Sequence, residues 1–270
     1  MAPKPPLRHQ EVRRIIGLLQ PLAVERRIVL IGGQAVAFWL RFLHPAAGDA
    51  ALADALTSKD IDFEGSAQSV RRAGELLSGR VRIATIDDST PNTGIVLFTD
   101  ADGVEREIDF LDAPLGLTAR DVRDTAVRLV LPATDGTPET MIWVMHPERC
   151  MESRVINASV LGKTDSLAIR QLNASIVCTR EWSRFILNDK QVPEQDRVRA
   201  VLRINERIFR RCMRDKSFRD IAAQHGAQPF DAVLADHPLL PENARDRRYA
   251  QMREQLDERL KRDQRNQVGR

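Results

Sequence analysis

Strand-like patterning ends near Val144 and does not return in the rest of the 270-residue chain. That confines any sheet to the first half and requires the second half to build its core from helices alone. Upstream, helical and strand signals alternate. Glu11–Leu22 repeats apolar residues at helical spacing through Val12, Ile15, Ile16 and Leu19. Arg27–Ile31 reads as a short buried strand closed by Gly32-Gly33, and Gln34–Leu43 as a helix with Ala35, Phe38, Trp39 and Phe42 toward the core. A Pro/Gly/Ala-rich loop from Pro45 to Leu56 leads to a strand at Asp60–Glu64 and a helix at Gln68–Leu77 closed by Gly79.

Val81–Ile86, Gly94–Thr99 and Val104–Leu111 then read as strands, the last two joined by an Asp100-Ala101-Asp102-Gly103 turn in which glycine supplies the positive φ. A second hairpin joins Arg128–Leu131 to Met141–Val144 across Asp135-Gly136. After His146-Pro147, prolines at 193, 229, 238 and 241 punctuate helical patterns, with a charged helix from about Arg245. The expected fold class is α/β (α+β): a mixed sheet with flanking helices over 1–145, then an all-helical lobe over 146–270.

Charge divides at the same place. Residues 1–145 carry 16 Lys+Arg against 20 Asp+Glu, a balance of −4, and residues 146–270 carry 25 against 18, a balance of +7. A basic lobe suits an anionic partner. Hydrophobic content of 43% beside 29% charged residues excludes disordered and fibrous classes. No apolar run approaches the ~20 residues of a membrane span, and MAPKPPLRHQ lacks the apolar core of a signal peptide, so a cytoplasmic chain with no membrane partner is expected. Cys150, Cys178 and Cys212 lie far apart in apolar helical patterns and read as buried free thiols. Trp39, Trp143 and Trp182 read as core residues.

The sharpest chemical signal is Thr57-Ser58-Lys59-Asp60-Ile61-Asp62-Phe63. On a strand, residues two apart share a face, so Asp60 and Asp62 would stand side by side and repel unless a cation lies between them. Hard divalent ions such as Mg²⁺ favour that oxygen-only environment. A solvated strand edge would also account for an isolated Asp-x-Asp. A second acidic strand, Glu105-Arg106-Glu107-Ile108-Asp109-Phe110-Leu111-Asp112, puts Glu107 and Asp109 on one face. If the two strands are neighbours, Asp109 completes a three-carboxylate cluster. The Ile31-Gly32-Gly33-Gln34 segment is either a tight turn or a place where backbone N–H groups at a helix start approach phosphate, with Gly33 unable to be enlarged.

In this order, Gly32-Gly33, Ser58-x-Asp60-x-Asp62 and Ile108-Asp109 resemble the nucleotidyltransferase superfamily related to DNA polymerase β, and in particular the AbiEii-type abortive-infection toxins. The resemblance covers about residues 12–145. It implies a nucleotidyltransferase-type sheet and metal-dependent transfer of a nucleoside monophosphate from NTP to an acceptor hydroxyl. It implies two Mg²⁺ ions on Asp60, Asp62 and Asp109, and a triphosphate held by Gly32, Gly33, Ser58 and Lys59. By the same resemblance Asp109 assists deprotonation of the acceptor. The acceptor would be an RNA such as tRNA, and the partners would include a cognate antitoxin protein. Two features depart from the pattern. The Gly33-to-Asp60 gap is long, and the toxins' C-terminal basic signature has only Lys163, Arg154 and Arg170 as candidates.

Other chemistries find no support. The five histidines form no metal-ligand spacing, and neither a GxSxG elbow nor a Cys/His pair occurs. His146 reads as a helix-entry residue. In the basic half, Arg199, Arg203, Arg207, Arg210 and Arg214 fall on one helical stripe opposite Val201, Ile204, Ile208, Phe209 and Cys212. Such a stripe is a solvated face or a contact for phosphate backbone. Two further functional classes compete: a small-molecule nucleotidyltransferase of the antibiotic-modifying kind, and an inactive scaffold that binds nucleotide or protein.

Overall fold

The computed structural model describes residues 6–44, 56–57, 59–85, 87–88, 92–133 and 138–268. The chain divides into two compact units, Met1–Ser153 and Arg154–Arg270.

The first unit is built on a seven-stranded mixed sheet. In chain order its strands are β1 (Ile28–Leu30), β2 (Ile61–Gly65), β3 (Arg80–Ile83), β4 (Asn92–Thr99), β5 (Glu105–Leu111), β6 (Val127–Leu131) and β7 (Thr140–Val144). Across the sheet they lie β3-β4-β5-β2-β1-β7-β6. The β2–β5 and β1–β7 pairs are parallel and the other four antiparallel. β2 and β5 therefore meet across an excursion through helix α4 (Ala67–Leu76) and strands β3 and β4.

Alternation sorts each strand's side chains by face. Ile61 and Phe63 of β2, Ile108 and Phe110 of β5, and Val96 of β4 are fully buried, and the Phe63 and Phe110 rings stack at 5.8 Å. Asp62, Glu107 and Asp109 alternate with them on the opposite face. The first helical signal resolves into α1 (His9–Leu18) and α2 (Gln20–Val24), parted at Leu19, where Pro21 sits in the first turn of α2. The expected glycine turn before α3 (Gly32–Leu43) is its first turn: Gly32 opens the helix with φ +71°.

The Asp100–Gly103 hairpin forms as expected, with Gly103 at φ +77°. The Asp100 carboxylate accepts from the Asp102 and Val104 amides and from the buried Arg106, which also reaches Glu11 at 3.2 Å. The second hairpin pairs β6 with β7, and its expected tip at Asp135-Gly136 lies outside the described residues, as does most of the 45–56 loop. One helix was not anticipated: α5 (Ala119–Thr125), closed at its start by a Thr118/Asp121 capping box.

From α6 (Pro147–Ser159) onward, the described residues form helices and loops without strands. His146 Nδ1 accepts from the Glu148 amide and so does enter this helix, within which the division into units falls. In the second unit follow α7 (Ser166–Asn188), α8 (Glu194–Arg214) and α9 (Lys216–His225), then a 3-10 turn at Pro229–Ala232, a π-helical turn at Ala244–Arg248 and α10 (Tyr249–Val268). Asp165 caps α7 by accepting from Leu167 and Ala168. All three cysteines are buried thiols. Only Trp39 belongs to the core. Trp143 is half-buried under the Arg26 guanidinium, and Trp182 is half-buried against the exposed Phe185 ring. Amphipathic indoles suit such boundary positions, which apolar periodicity does not distinguish from core. Among the described residues no helix is long and apolar enough to cross a membrane.

Candidate active site

The acidic face of the sheet is assembled by one register. β2 and β5 run parallel with Ile61 beside Ile108, Asp62 beside Asp109 and Phe63 beside Phe110. Neighbouring strands lie ~4.8 Å apart, so two carboxylates in register on one face are close enough to interact strongly. Asp60 lies two residues upstream of Asp62 at the entry to β2. Its charge also reaches Asp109.

Asp109 carries the electrostatic signature. Burial, with the negative charges of Asp62, Glu107 and Asp60, pushes its carboxyl from an ordinary 3.8 up to about 7. Asn92 opposes this weakly by donating from Nδ2 to Asp109 Oδ1 at 2.9 Å. Asn92 is there because of a bulge. β4 slips by one residue between Asn92 and Gly94, so that Asn92 rather than Thr93 stands opposite Leu111. A bulge re-aims side chains by breaking the period of two.

Gly32 closes the other side. The Ile31 amide donates to the Asp62 carbonyl at 2.9 Å and ties the end of β1 to β2. Immediately beyond, a Cβ added to Gly32 would collide with Asp62 Oδ2 and approach Cγ to 2.9 Å. The close approach thus concerns the Asp62 carboxylate at Gly32. Gly33 follows it within the first turn, buried, and Ile31 provides no side-chain cap to this helix start. Lys59 is exposed on the bend before β2, and Ser58 lies outside the described residues.

Next to Asn92 opens a cleft of about 290 Å³ across the outer strands. Gly94 and Ile95 of β4, Glu107 of β5, and Arg82 and Asp88 line it. Arg82 pairs with Asp88 at 3.0 Å, and Asp88 also accepts from the Thr85 amide and hydroxyl, which hold its carboxyl below the usual range.

On the same face of β2, Glu64 is fully buried and receives the Arg123 guanidinium of α5 on both oxygens, at 2.7–2.9 Å. Burial nevertheless pushes its carboxyl up. This pair anchors α5 two residues along the strand from Asp62. Neither Asn92 nor the Glu64–Arg123 pair was anticipated from the sequence. Asn92 depends on a bulge with no local signature, and in the sequence Glu64 marks only the end of a strand.

The donor chemistry fits a hard divalent cation: Asp60, Asp62 and Asp109 offer carboxylate oxygens, and the resistance of Asp109 to ionisation is what a cation would relieve. Among the described residues no three His, Cys, Asp or Glu side chains already close to metal-holding geometry. The C-terminal candidates lie apart in sequence and in the second unit: Arg154 donates to Gln171 at 3.0 Å, and Lys163 and Arg170 are exposed. No protein-family model matches the chain, and no curated protein matches it.

Proposed function

We propose that the protein is a metal-dependent nucleotidyltransferase, toxin-like in the manner of the AbiEii proteins it resembles. It would transfer a nucleoside monophosphate from NTP to an acceptor hydroxyl. The observation that carries this reading is the in-register pairing of Asp62 with Asp109 at a site where burial, with the charges of Asp62, Glu107 and Asp60, raises the Asp109 carboxyl to about 7. Buried like charges are unfavourable and are not expected where only folding is at stake.

Divalent ions, two in the family it resembles, would be held by Asp60, Asp62 and Asp109 and would supply charge neutralisation for the attacking and leaving oxygens. The chain's own groups do the rest. Asp109, oriented by Asn92 and ionised once the cation offsets its neighbours' charge, accepts the proton of the acceptor hydroxyl as its oxygen attacks the α-phosphorus. The bond to the bridging oxygen breaks and pyrophosphate leaves. The start of α3, at Gly32 and Gly33, presents backbone N–H groups and a positive dipole end suited to the triphosphate, with Ser58 and Lys59 as its further contacts. No covalent intermediate on the protein is required. The work is positioning and electrostatics.

The test is incubation with each α-³²P-labelled nucleoside triphosphate, Mg²⁺ and total cell RNA, followed by a search for a labelled species. Label should enter the RNA from at least one nucleotide. Asp62→Asn should abolish it without lowering the thermal midpoint of the metal-free protein, because the substitution relieves repulsion. Absence of any labelled acceptor would defeat the proposal, and a lowered midpoint would mark Asp62 as structural.

A further inference from the structure

The arginine stripe of α8 forms one wall of a concave site in the second unit. A cleft of about 360 Å³ is lined by Arg199, Arg203, Arg207 and Arg210 of α8, with Leu202 and Glu206 between them. Arg248, from the π-helical turn, supplies the opposite side. All five arginines are exposed, while Val201, Ile204, Ile208 and Cys212 on the reverse of the helix are buried.

The cleft is held open by its surroundings. Glu206 accepts from Arg210 Nε at 3.0 Å and from Arg248 Nη2 at 2.7 Å, which sets the two guanidinium groups on either side of it. Beneath them, buried Asn205 donates to the Leu234 carbonyl and the Tyr249 hydroxyl at 2.8 and 2.7 Å and accepts from the Leu234 amide at 3.1 Å. Tyr249 follows Arg248 directly, so this network fixes the turn that carries Arg248 against α8. Five positive groups thus face one carboxylate in the lining, with Asp196 beside Arg199 as the nearest further acid on the helix.

We propose that this cleft binds the phosphodiester backbone of a nucleic acid. A single phosphate occupies one or two guanidinium forks, far fewer than the cleft offers. From Arg199 to Arg210 the helix rises about 16 Å, which matches the axial length of roughly five phosphates of one duplex strand at ~3.4 Å each. A protein partner would need a buried apolar anchor, and Leu202 is the only apolar side chain in the lining. The binding needs neither the acidic face of the sheet nor transfer, so it stands or falls separately from the proposed reaction.

The experiment is fluorescence anisotropy with the full chain and fluorescein-labelled 20-nucleotide RNA and DNA of the same sequence. Sodium chloride is varied from about 50 to 300 mM with no NTP or divalent ion present, and a 20-residue poly-glutamate serves as competitor. Both nucleic acids should bind, with log K falling linearly in log[salt]. Arg203→Gln with Arg207→Gln should flatten the slope by about 1.5 and weaken binding at least tenfold at the lowest salt. Arg262→Gln with Arg265→Gln, an equal loss of charge from exposed positions on α10, should leave the slope unchanged. Circular dichroism and a urea melt confirm that both pairs fold. Equal losses in the two pairs would reduce the cleft to bulk charge. Equal competition by poly-glutamate would turn it into a site for an acidic protein, and no binding at 50 mM salt would end the proposal.

Discussion

Asp109 holds its proton nearly to neutrality because burial keeps water from fully reaching it and because Asp62, Glu107 and Asp60 share its neighbourhood. In the metal-free protein this has a definite pH dependence. The folded carboxyl titrates near 7 and the unfolded one near 3.8, so between these values the folded state binds the extra proton. Stability is therefore highest below the unfolded value, falls as pH rises from about 4 to about 7, and is flat beyond as far as this group is concerned. Urea melts at pH 5 and pH 8 should show the loss in the wild type and a smaller one in Asp109→Asn. An equal loss in both would place the titration elsewhere. Gly32 is the second position where one residue carries the site. At φ +71° a side chain costs about 1–2 kcal/mol, and here its Cβ would also have to displace the Asp62 carboxylate. Gly32→Ala should lose that much in a urea melt and more than tenfold in nucleotidyl transfer. Full activity would show that the Asp62 position is not critical.

At the scale of elements, the acidic face depends on how β2 is held. Ile61 and Phe63 bury one side of the strand, and on the other the Arg123–Glu64 pair ties α5 to it. Removing Arg123 leaves a buried carboxyl without its donor, a loss of about 2–3 kcal/mol. Replacing both residues by leucine should recover most of that stability, since an apolar pair has no charge to compensate. A double-mutant cycle in urea checks this. If the double variant is as unstable as Arg123→Ala, the pair acts through shape and not charge. The strands themselves were legible from alternation, and so was the sharing of a face by Glu107 with Asp109, whereas Asp60 lies on the bend before β2 and not on the strand. The β4 bulge that brings Asn92 to Asp109 was not legible, because it is a mismatch between two strands and neither strand's own pattern records it. Helix α5 is not legible from periodicity, because seven residues with one buried side chain, Val122, show too little of it; its signal in the sequence is the Thr118/Asp121 capping box.

Over the whole molecule, a sheet-bearing unit and a helical unit part within α6, between Ser153 and Arg154, whereas the change of patterning and charge in the sequence lies at 145/146. Ser153 lies at that point, 1% exposed and in the middle of the helix. Ser153→Pro would remove a backbone hydrogen bond and force a kink, a loss of ~3 kcal/mol, whereas Ser153→Ala keeps the helix and should lose less than about 1 kcal/mol. Equal urea midpoints for the two variants would mean that α6 does not need to be continuous.

The sequence by itself determined the strands and the longer helices, and the alternation of faces along β2 and β5. These are local properties, set by periods of 2 and 3.6 residues and by glycine and proline. It also set out the arginine stripe in full. Only the tertiary structure decided that β2 lies beside β5, parallel and in the register that pairs Asp62 with Asp109, although β3 and β4 intervene in the chain. It alone placed Gly32 under Asp62 and brought Arg248 to the stripe of α8 across more than thirty residues of sequence. The reason is physical. Lateral pairing is selected by burial of the common apolar face, by Ile61 and Phe63 meeting Ile108 and Phe110, and that long-range packing is not contained in any single segment's pattern.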